Sequence, residues 1–230
     1  ASGMGSSSAF TVGLINSLYS LLNKKTSSYE IAKKAIYFEQ KIMREIVGSQ
    51  DQLATAVGGF NKIIFNNGNK FRLISKRNEK NINRLENNLL LIYTGKKRVA
   101  HDIAKKYSGK LTTVNKKYID MMLQNVDEGE KILKGKNIDD FGKLLHSAWV
   151  TKKKLSSSIS SKKIDEMYEY VMKNGALGGK LLGAGGGGFF LFYMKNELKK
   201  RFLKKNNKLI HVPFKFSNRG TEILFKDLKR

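Results

Sequence analysis

A short stretch rich in glycine and serine, residues 2–9, leads directly into an apolar series with helical spacing. The stretch is Ser-Gly-Met-Gly-Ser-Ser-Ser-Ala, and the apolar series is Phe10, Val12, Leu14, Ile15, Leu18, Leu21 and Leu22. Glycine lets a backbone approach an anion closely, and serine caps a first helical turn. A helix N-terminus also offers unpaired N–H groups and the positive end of its dipole. We interpret the stretch as a phosphate-binding loop, with a flexible terminus or a tail left by cloning as the alternative.

The composition indicates one large globular domain or two modest ones. The chain has 230 residues, of which 40% are hydrophobic, so it can bury a sizeable core. Its longest apolar runs, residues 89–93 and 189–194, are far shorter than the roughly 18 residues that cross a membrane. The chain has no cysteine, and its three histidines are scattered, which argues against disulfides and zinc sites. These features fit a protein of the reducing cytoplasm.

The charge is strongly positive. There are 44 basic and 19 acidic residues, giving a formal net charge of +25, which is typical of nucleic-acid-binding proteins. However, the lysines are spread along the whole chain, and clusters such as 152–154 and 199–201 fall on the surfaces or ends of predicted helices. We therefore expect solvated surfaces rather than one basic face. The positive potential would also attract phosphorylated substrates and nucleotides.

A second helix with an acidic residue in its apolar stripe is predicted after residue 27. Ser27 to Glu30 has the Ser-x-x-Glu form of a capping box. The stripe that follows is Ile31, Ala35, Phe38, Ile42 and Ile46, and the helix is expected to end near Gly48. Glu39 falls within this stripe. A buried carboxylate needs a cation or a hydrogen-bond donor, and an edge position with a lysine partner is the alternative.

Asp51 is expected in a loop beside a stretch of small residues, 54–59. A β-hairpin follows, with strands at 62–65 and 71–74 and an Asn67-Gly68 turn that supplies the positive φ values such turns require. The polar segment 76–88 shows no convincing core pattern. We therefore predict a domain boundary there, with domains at residues 1–85 and 86–230.

The second part combines strands and helices in an order that indicates an α+β sandwich. Residues 89–93 are typical of a buried strand, and helical stripes extend from about 99 to 174, with Trp149 in the core and Asn174-Gly175 as the last C-cap. A glycine-rich loop from Gly178 to Gly188 then enters the apolar segment 189–194, a predicted strand. A helix at 195–203 and strands at 209–216 and 222–225 complete the prediction. A flexible linker would be polar on both sides, so the glycine loop is expected to press against something.

Three features now occur in order along the chain. They are a Gly-Ser loop that opens a helix, an acidic residue on the next helix with an aspartate after it, and a distant glycine-rich loop. Phosphoryl transfer requires N–H groups that hold phosphates, a ligand for Mg²⁺ and an acid that orients or deprotonates an attacking hydroxyl. Neither glycine motif is of the Walker type, because neither ends in Gly-Lys-Ser/Thr.

The chain resembles the small-molecule kinases of the GHMP superfamily. That superfamily has a Pro-x-x-x-Gly-Leu-Gly-Ser-Ser-Ala loop and a Gly-Ala-Gly-Gly-Gly-Gly loop, matched here by residues 3–9 and 183–188. Residues 50–61, 93–95 and 175–185 most resemble the D-glycero-D-manno-heptose 7-phosphate kinases. The resemblance implies an α+β, two-lobed GHMP-kinase-like fold. Its N-terminal half would be an incomplete ribosomal-protein-S5-like domain, and its C-terminal half a ferredoxin-like α/β sandwich.

The resemblance also implies roles for particular residues. Residues matching the phosphate loop are Gly3, Gly5, Ser6, Ser7 and Ser8. Ser7 and Glu39 match the magnesium ligands, and Asp51 matches the aspartate that receives or polarises the proton of the sugar hydroxyl. The loop expected to close against phosphates and substrate is formed by Gly185, Gly186, Gly187 and Gly188. Arg98 is a candidate for the sugar phosphate, since arginine suits bidentate phosphate contacts.

Two positions depart from the superfamily pattern, and one part of it has no counterpart. Met4 replaces a leucine, and Ser8 stands where many members have alanine. The N-terminal strands, the first substrate-binding motif and the residues around the adenine are not matched upstream of Ala1. We therefore expect this chain to be a fragment of a longer protein, and the activity of the chain by itself is left open.

The activity implied by the resemblance is that of an ATP- and Mg²⁺-dependent sugar kinase. Its acceptor would be the anomeric hydroxyl of D-glycero-D-manno-heptose 7-phosphate, in the synthesis of surface-polysaccharide precursors such as lipopolysaccharide. The alternatives are a galactose- or fucose-type kinase of the same superfamily, a basic nucleic-acid-binding module with structural glycine loops, and an inactive remnant that acts through interactions. The exact sugar, the nucleotide preference and the oligomeric state are not fixed by the sequence.

Overall fold

The computed structural model describes residues 4–66, 70–76, 79–96 and 116–226. The chain divides into two compact units. We call Gly5–Arg77 with Phe216–Arg230 the hairpin unit, and Asn78–Lys215 with Ala1–Met4 the three-strand unit. The boundary proposed between residues 85 and 86 stays a prediction. The Asn67-Gly68 turn, Gly3 and Arg98 lie outside the described residues.

The hairpin unit contains helices followed by one β-hairpin. Its elements are α1 (Ser6–Leu21), α2 (Ser28–Tyr37), a π-helical turn (Phe38–Ile42), α3 (Gln50–Val57), β1 (Asn61–Asn66) and β2 (Lys70–Ser75). The strands pair antiparallel, with Lys62 opposite Ile74 and Phe65 opposite Phe71, which confirms the predicted hairpin. The predicted cap of α2 is also confirmed, because the Ser27 hydroxyl accepts the N–H of Glu30 at 3.2 Å.

The core of this unit lies among the three helices. It comprises Val12, Ile31, Ala32, Ala35, Ile36, Leu53 and Ala56. The C-terminal segment is tied to the same helices through its backbone, since Gly59 N donates to Ser217 O at 2.6 Å and Thr221 N donates to Ala56 O at 3.3 Å. The segment therefore helps fix the position of α3.

The apolar stripe predicted beyond Ala35 is wrong. Phe38, Ile42 and Ile46 are exposed, and the helix ends at Ile42 rather than near Gly48. Phe38 lies at the edge of the face that is buried in α2. For Ile42 and Ile46 the cause is the π-helical turn from Phe38 to Ile42, which inserts an extra residue and rotates the following side chains away from that face. Glu39 follows Ala35 by four residues and Ile36 by three, so it continues the buried face of α2 and is 1% exposed. The predicted burial of Glu39 is confirmed.

The three-strand unit is an antiparallel sheet packed with helices. Its elements are α4 (Ile82–Asn88), β3 (Leu89–Tyr93), α5 (Lys116–Lys134), α6 (Asp140–Lys153), a 3₁₀ turn (Ser157–Ile159), α7 (Lys162–Lys173), β4 (Ala176–Leu181), β5 (Phe189–Met194) and α8 (Asn196–Lys205). The strand order is β3-β5-β4. This mixture of helices and small antiparallel sheets confirms the predicted α+β class.

The core of the three-strand unit follows the alternation of β5. Phe190, Phe192 and Met194 point to one face and are fully buried against α6 and α7. Trp149 on α6 packs edge-on against Phe190, with ring centroids 5.4 Å apart, and is itself fully buried. The expectation that Trp149 belongs to the core is confirmed. Gly175, with φ 101, follows the end of α7 as predicted.

Strand β4 was not predicted, because glycine is rare in strand interiors and its sequence is Ala-Leu-Gly-Gly-Lys-Leu. The structure supplies the reason for Gly178. A Cβ at this position would lie 1.9 Å from Gly142 O, so only glycine lets α6 approach the strand this closely.

Two further expectations are corrected. Segment 76–88 has a core pattern, because Ile82 and Leu85 on α4 are buried. The strand expected at 209–216 is reduced to one isolated bridge between Ile92 and His211, and no strand forms in the described residues 213–226. Among the described residues, no helix is long and apolar enough to span a membrane.

Candidate active site

The N-terminus of α1 is an open set of backbone donors. Gly5 is the N-cap, with φ 67 and ψ 21, and the first turn has neither a side-chain cap nor an acidic residue. The first backbone bond at this end is donated by Ala9 N to Gly5 O at 2.9 Å. The N–H groups of Ser6, Ser7 and Ser8 therefore precede the bonded part of the helix. Such an end, with the positive pole of the helix dipole, suits a phosphate.

Asp51 lies directly against this end of α1. A Cβ added to Gly5 would be 3.2 Å from Asp51 Oδ2, so the backbone of Gly5 and the carboxylate are in close approach. Asp51 is exposed and occupies the first turn of α3, which corrects the expectation of a loop position. Gln50 Nε2 donates to its Oδ1 at 3.5 Å. The fold thus places an accessible carboxylate beside the glycine of the phosphate loop.

Glu39 is held in the interior of the same unit by two neutral donors. The Ser8 hydroxyl donates to Glu39 Oε2 at 3.0 Å, and Gln52 Nε2 donates to the same oxygen at 2.5 Å. No described residue forms an ion pair with Glu39, so the lysine-paired alternative is not what the described structure shows. The other oxygen, Oε1, is buried and has no hydrogen-bond partner among the described residues. A buried charged oxygen without a partner is costly unless a ligand compensates it.

The donor set around Glu39 fits Mg²⁺ held together with nucleotide phosphates. Among the described residues there is no group of three His, Cys, Asp or Glu side chains that could enclose a metal. Mg²⁺ seldom needs such a cage, since it is usually bound by one or two carboxylates, water and substrate phosphates. The unpaired Oε1 offers the carboxylate oxygen, and the open end of α1 in the same unit offers a place for the phosphates.

The serines of the loop have different surroundings. Ser7 is exposed, and its backbone oxygen accepts the Thr11 hydroxyl at 3.3 Å. Ser8 is buried, and its hydroxyl, not that of Ser7, reaches Glu39. Ser6 is exposed at the first position of α1. The magnesium role of Ser7 and the phosphate roles of Ser6 and Ser8 stay predictions.

Gln52 is a site residue that the sequence prediction did not include. It is fully buried beside Leu53 and has an amide oxygen, Oε1, without a partner in the described chain. Had α3 been assigned as a helix, the buried positions 52, 53 and 56 would have identified Gln52 as a polar residue on a core face.

The second glycine loop lies in the three-strand unit and is tied to its surroundings by its own backbone. Gly186 N donates to Ile159 O at 2.8 Å, and Gly188 N donates to Lys96 O at 3.1 Å. Gly188 O accepts both the N–H and the hydroxyl of Thr94, at 2.8 and 2.9 Å. The buried Lys152 ammonium donates to Leu181 O at 2.8 Å and also to Gly183 O. The role of Gly185 to Gly188 in closing against substrate stays a prediction.

Comparison with known families identifies the class of protein. Residues 1–59 match the family described as GHMP kinases N terminal domain, and residues 130–208 match GHMP kinases C terminal. Together the two matches cover more than half of the chain. The chain belongs to the GHMP kinase family, and the resemblance stated from its glycine motifs is confirmed.

Individual relatives show which GHMP kinases this chain is similar to. The D-glycero-alpha-D-manno-heptose 7-phosphate kinase of Campylobacter jejuni is 34% identical over 88% of this chain and 60% of the relative. The bifunctional fucokinase/GDP-fucose pyrophosphorylase of Arabidopsis thaliana is 27% identical over 89% of this chain and 20% of the relative. A D-glycero-D-manno-heptose 1-phosphate kinase from Bacteriodes thetaiotaomicron shares the fold, with a TM-score of 0.73, 24% identity, and coverage of 95% of this chain and 62% of that structure. The chain therefore spans about three fifths of the Campylobacter relative and of this structure.

Proposed function

We propose that the chain is the catalytic part of an ATP- and Mg²⁺-dependent sugar kinase. The observation that carries the proposal is the arrangement in the hairpin unit. There, an open helix N-terminus lies against the accessible carboxylate of Asp51, and the buried carboxylate of Glu39 keeps one oxygen unpaired. Phosphoryl transfer depends mainly on positioning and charge compensation, and these residues are suited to both tasks.

In this proposal the donors at the start of α1 bind the phosphates of the nucleotide. The N–H groups of Ser6, Ser7 and Ser8 are directed outward at the positive end of the helix, where negative charge is stabilised. Glu39, with the Ser7 hydroxyl as the second expected ligand, would hold Mg²⁺, which neutralises phosphate charge when bound. The formal net charge of +25 supports the attraction of anionic substrates.

Asp51 accepts the proton of the attacking sugar hydroxyl in this proposal. It is exposed, so a substrate can reach it, and the adjacent Gly5 has no side chain that would block the approach. The hydroxyl oxygen then forms a bond to the γ-phosphorus while the bond to the bridging oxygen of ADP breaks. General-base help of this kind contributes about 10²- to 10⁴-fold to a rate.

The substrate we propose is D-glycero-D-manno-heptose 7-phosphate, phosphorylated at its anomeric hydroxyl. The support is the likeness to a relative named as a kinase of this sugar, together with the likeness of motif segments such as residues 175–185. A fucose-type kinase is the second candidate, supported by the similarity of nearly the whole chain to the Arabidopsis protein. The contribution of Arg98 to phosphate recognition and the cytoplasmic location stay predictions.

A panel of sugars tests the proposal. The protein carrying this chain is incubated with ATP and Mg²⁺ and with heptose 7-phosphate, fucose or galactose, and ADP release is measured. We expect the highest kcat/KM with heptose 7-phosphate. A preference for fucose or galactose would show that the proposed substrate is wrong, although the assignment as a sugar kinase would stand. Absence of ADP release with every sugar, together with salt-sensitive DNA or RNA binding, would favour the nucleic-acid-binding module instead.

A further inference from the structure

Two hydrogen-bond donors converge on one oxygen of the buried Glu39 carboxylate. Ser8 reaches Oε2 from the first turn of α1, and Gln52 reaches the same oxygen from α3. Glu39 itself is in the π-helical turn that follows α2. Three separate segments therefore meet at this one oxygen, while Oε1 of the same carboxylate is left without a partner in the described chain.

The orientation of the Gln52 amide follows from its neighbour. The NH₂ group of Gln52 faces Glu39 Oε2, to which it donates, whereas an amide turned by 180° would bring the amide oxygen against the carboxylate oxygen. The amide oxygen of Gln52 is then directed elsewhere, and it is buried without a partner among the described residues. The site thus contains two unpaired buried oxygens, one on Glu39 and one on Gln52.

A carboxylate that binds a cation is effective when its orientation is already fixed. Groups that contact a ligating side chain hold it in the productive rotamer, and their loss typically lowers metal affinity about 10- to 100-fold. Here Ser8 and Gln52 together occupy Oε2, so rotation of the carboxylate would sacrifice two buried hydrogen bonds. Oε1 is consequently the oxygen that stays available.

We infer that Gln52 is a positioning residue that, together with Ser8, holds Glu39 so that Oε1 is presented to the divalent cation. The inference rests on the proposed function, because it takes Glu39 to be the cation ligand. The unpaired Gln52 Oε1 would in addition be able to accept a hydrogen bond from a ligand bound at this carboxylate. Gln52 is adjacent in sequence to Asp51, so one short helix, α3, carries both the general base and the residue that orients the cation ligand.

Binding of Mn²⁺ tests the inference without depending on turnover. Mn²⁺ replaces Mg²⁺ as the probe, and its affinity for the chain in the presence of ADP is measured from the free Mn²⁺ signal in electron paramagnetic resonance spectra. Gln52→Met keeps the length of the side chain and removes the amide. We expect about tenfold weaker Mn²⁺ binding, the lower end of the effect of losing a group that orients a metal ligand.

Asn81→Leu is the matched control. Asn81 is also a buried amide, 1% exposed, and its Nδ2 donates to Leu133 O and Gly135 O at 3.0 and 2.7 Å in the three-strand unit. Its loss should lower the thermal midpoint as a buried amide does, with Mn²⁺ affinity unchanged. Ser8→Ala provides a second variant should Gln52→Met fail to fold, and we expect it to weaken Mn²⁺ binding about threefold, less than the loss of the shorter bond from Gln52.

Glu39→Gln separates the inference from the proposed function. If Glu39→Gln abolishes Mn²⁺ binding while Gln52→Met and Ser8→Ala both retain it within twofold, Gln52 is not a positioning residue and the inference is overturned. If Glu39→Gln itself leaves Mn²⁺ affinity unchanged, the assignment of Glu39 as the cation ligand fails, and the inference fails with it. Weakening in all three variants, with none in Asn81→Leu, supports both.

Discussion

The molecule contains two glycine-rich loops whose backbones are used in opposite ways. At the start of α1, Gly5 adopts a left-handed conformation and the N–H groups of the next three residues have no helical carbonyl to bond. In the three-strand unit, Gly186 and Gly188 donate their N–H groups to Ile159 and Lys96. Among the described residues, the N–H groups of Ser6, Ser7 and Ser8 have no partner and are open to a ligand, whereas the N–H groups of Gly186 and Gly188 in the second loop already have one.

Glycine content alone therefore does not identify an anion site. Gly5 is required because a Cβ would be strained at its positive φ and would press on Asp51. Gly185 also has a positive φ, 119, and a Cβ there would lie 2.9 Å from Ile159 Cα, so its requirement for glycine is explained by strain and packing within the protein, without a ligand. The informative question is whether the N–H groups of a loop already have partners.

The largest expected effect is on catalysis and concerns Asp51, which lies beside Gly5 at the N-terminus of α1. Asp51→Asn keeps the size of the side chain and removes the base, so kcat in the complete protein should fall about 10³-fold. ADP affinity, measured by isothermal titration calorimetry, should stay within threefold because the amide still fits beside Gly5. A fall in kcat of less than tenfold would contradict the assignment of Asp51.

The next effect concerns the second glycine loop, which is held in place by hydrogen bonds of its backbone. Lys152→Met removes an ammonium group that donates to Leu181 O and Gly183 O in a buried position, and unsatisfied carbonyls cost about 1–3 kcal/mol each. We expect a loss of about 3 kcal/mol in urea unfolding of the three-strand unit. Lys154→Met, which removes the same charge from an exposed position at the same helix end, should change stability by less than about 0.5 kcal/mol. Equal losses in the two variants would mean that Lys152 does not anchor the loop.

A smaller effect separates backbone strain from ligand binding. Gly5→Ala and Gly95→Ala each force alanine into a left-handed conformation, at φ 67 and φ 72, which costs about 1–2 kcal/mol. Only at Gly5 does the added Cβ meet another side chain, Asp51, whereas nothing lies within 4 Å at Gly95. We expect similar losses of stability but weaker ADP binding only in Gly5→Ala. Comparable ADP affinity in the two variants would mean that Gly5 does not take part in phosphate binding.

The smallest expected effect is a gain in the stability of the hairpin unit. Gly13 lies inside α1, and a Cβ there would have no heavy atom within 4 Å. Gly13→Ala should therefore stabilise the hairpin unit by roughly 0.5–1 kcal/mol through helix propensity, as read from a thermal melt. A destabilised variant would show that this face of α1 is more crowded than the structure indicates.

The sequence correctly predicts those structural features that depend on residues close together in the chain. The Ser27 cap, the hairpin strands and β5 were predicted correctly, because each depends on residues within a few positions. Helical spacing also predicts the burial of Glu39, which continues the buried face of α2. A π-helical turn cannot be recognised from apolar spacing that assumes a regular helix, so the prediction that Ile42 and Ile46 share this face is wrong.

The remainder depended on contacts between distant segments. Strand β4 exists because Gly178 lets α6 approach, and Gly142 is 36 residues away in the sequence. The donors at Glu39 come from α1 and α3, and the choice of Ser8 rather than Ser7 depends on which face of α1 turns inward. Local propensity contains no information about these contacts between distant segments. Gln52 and the helical position of Asp51 are a different case, because both depend on assigning the short helix α3.

In the proposed site, the open N-terminus of α1 binds the nucleotide phosphates. This binding is measured by adding Mg²⁺ and ADP to the ¹⁵N-labelled chain and following the amide chemical shifts of Ser6, Ser7 and Ser8. We expect these three amides to show the largest shifts in the hairpin unit, and we expect the shifts to disappear in Gly5→Ala at the same ADP concentration. Shifts confined to other residues, with Ser6 to Ser8 unmoved at saturating ADP, would contradict it.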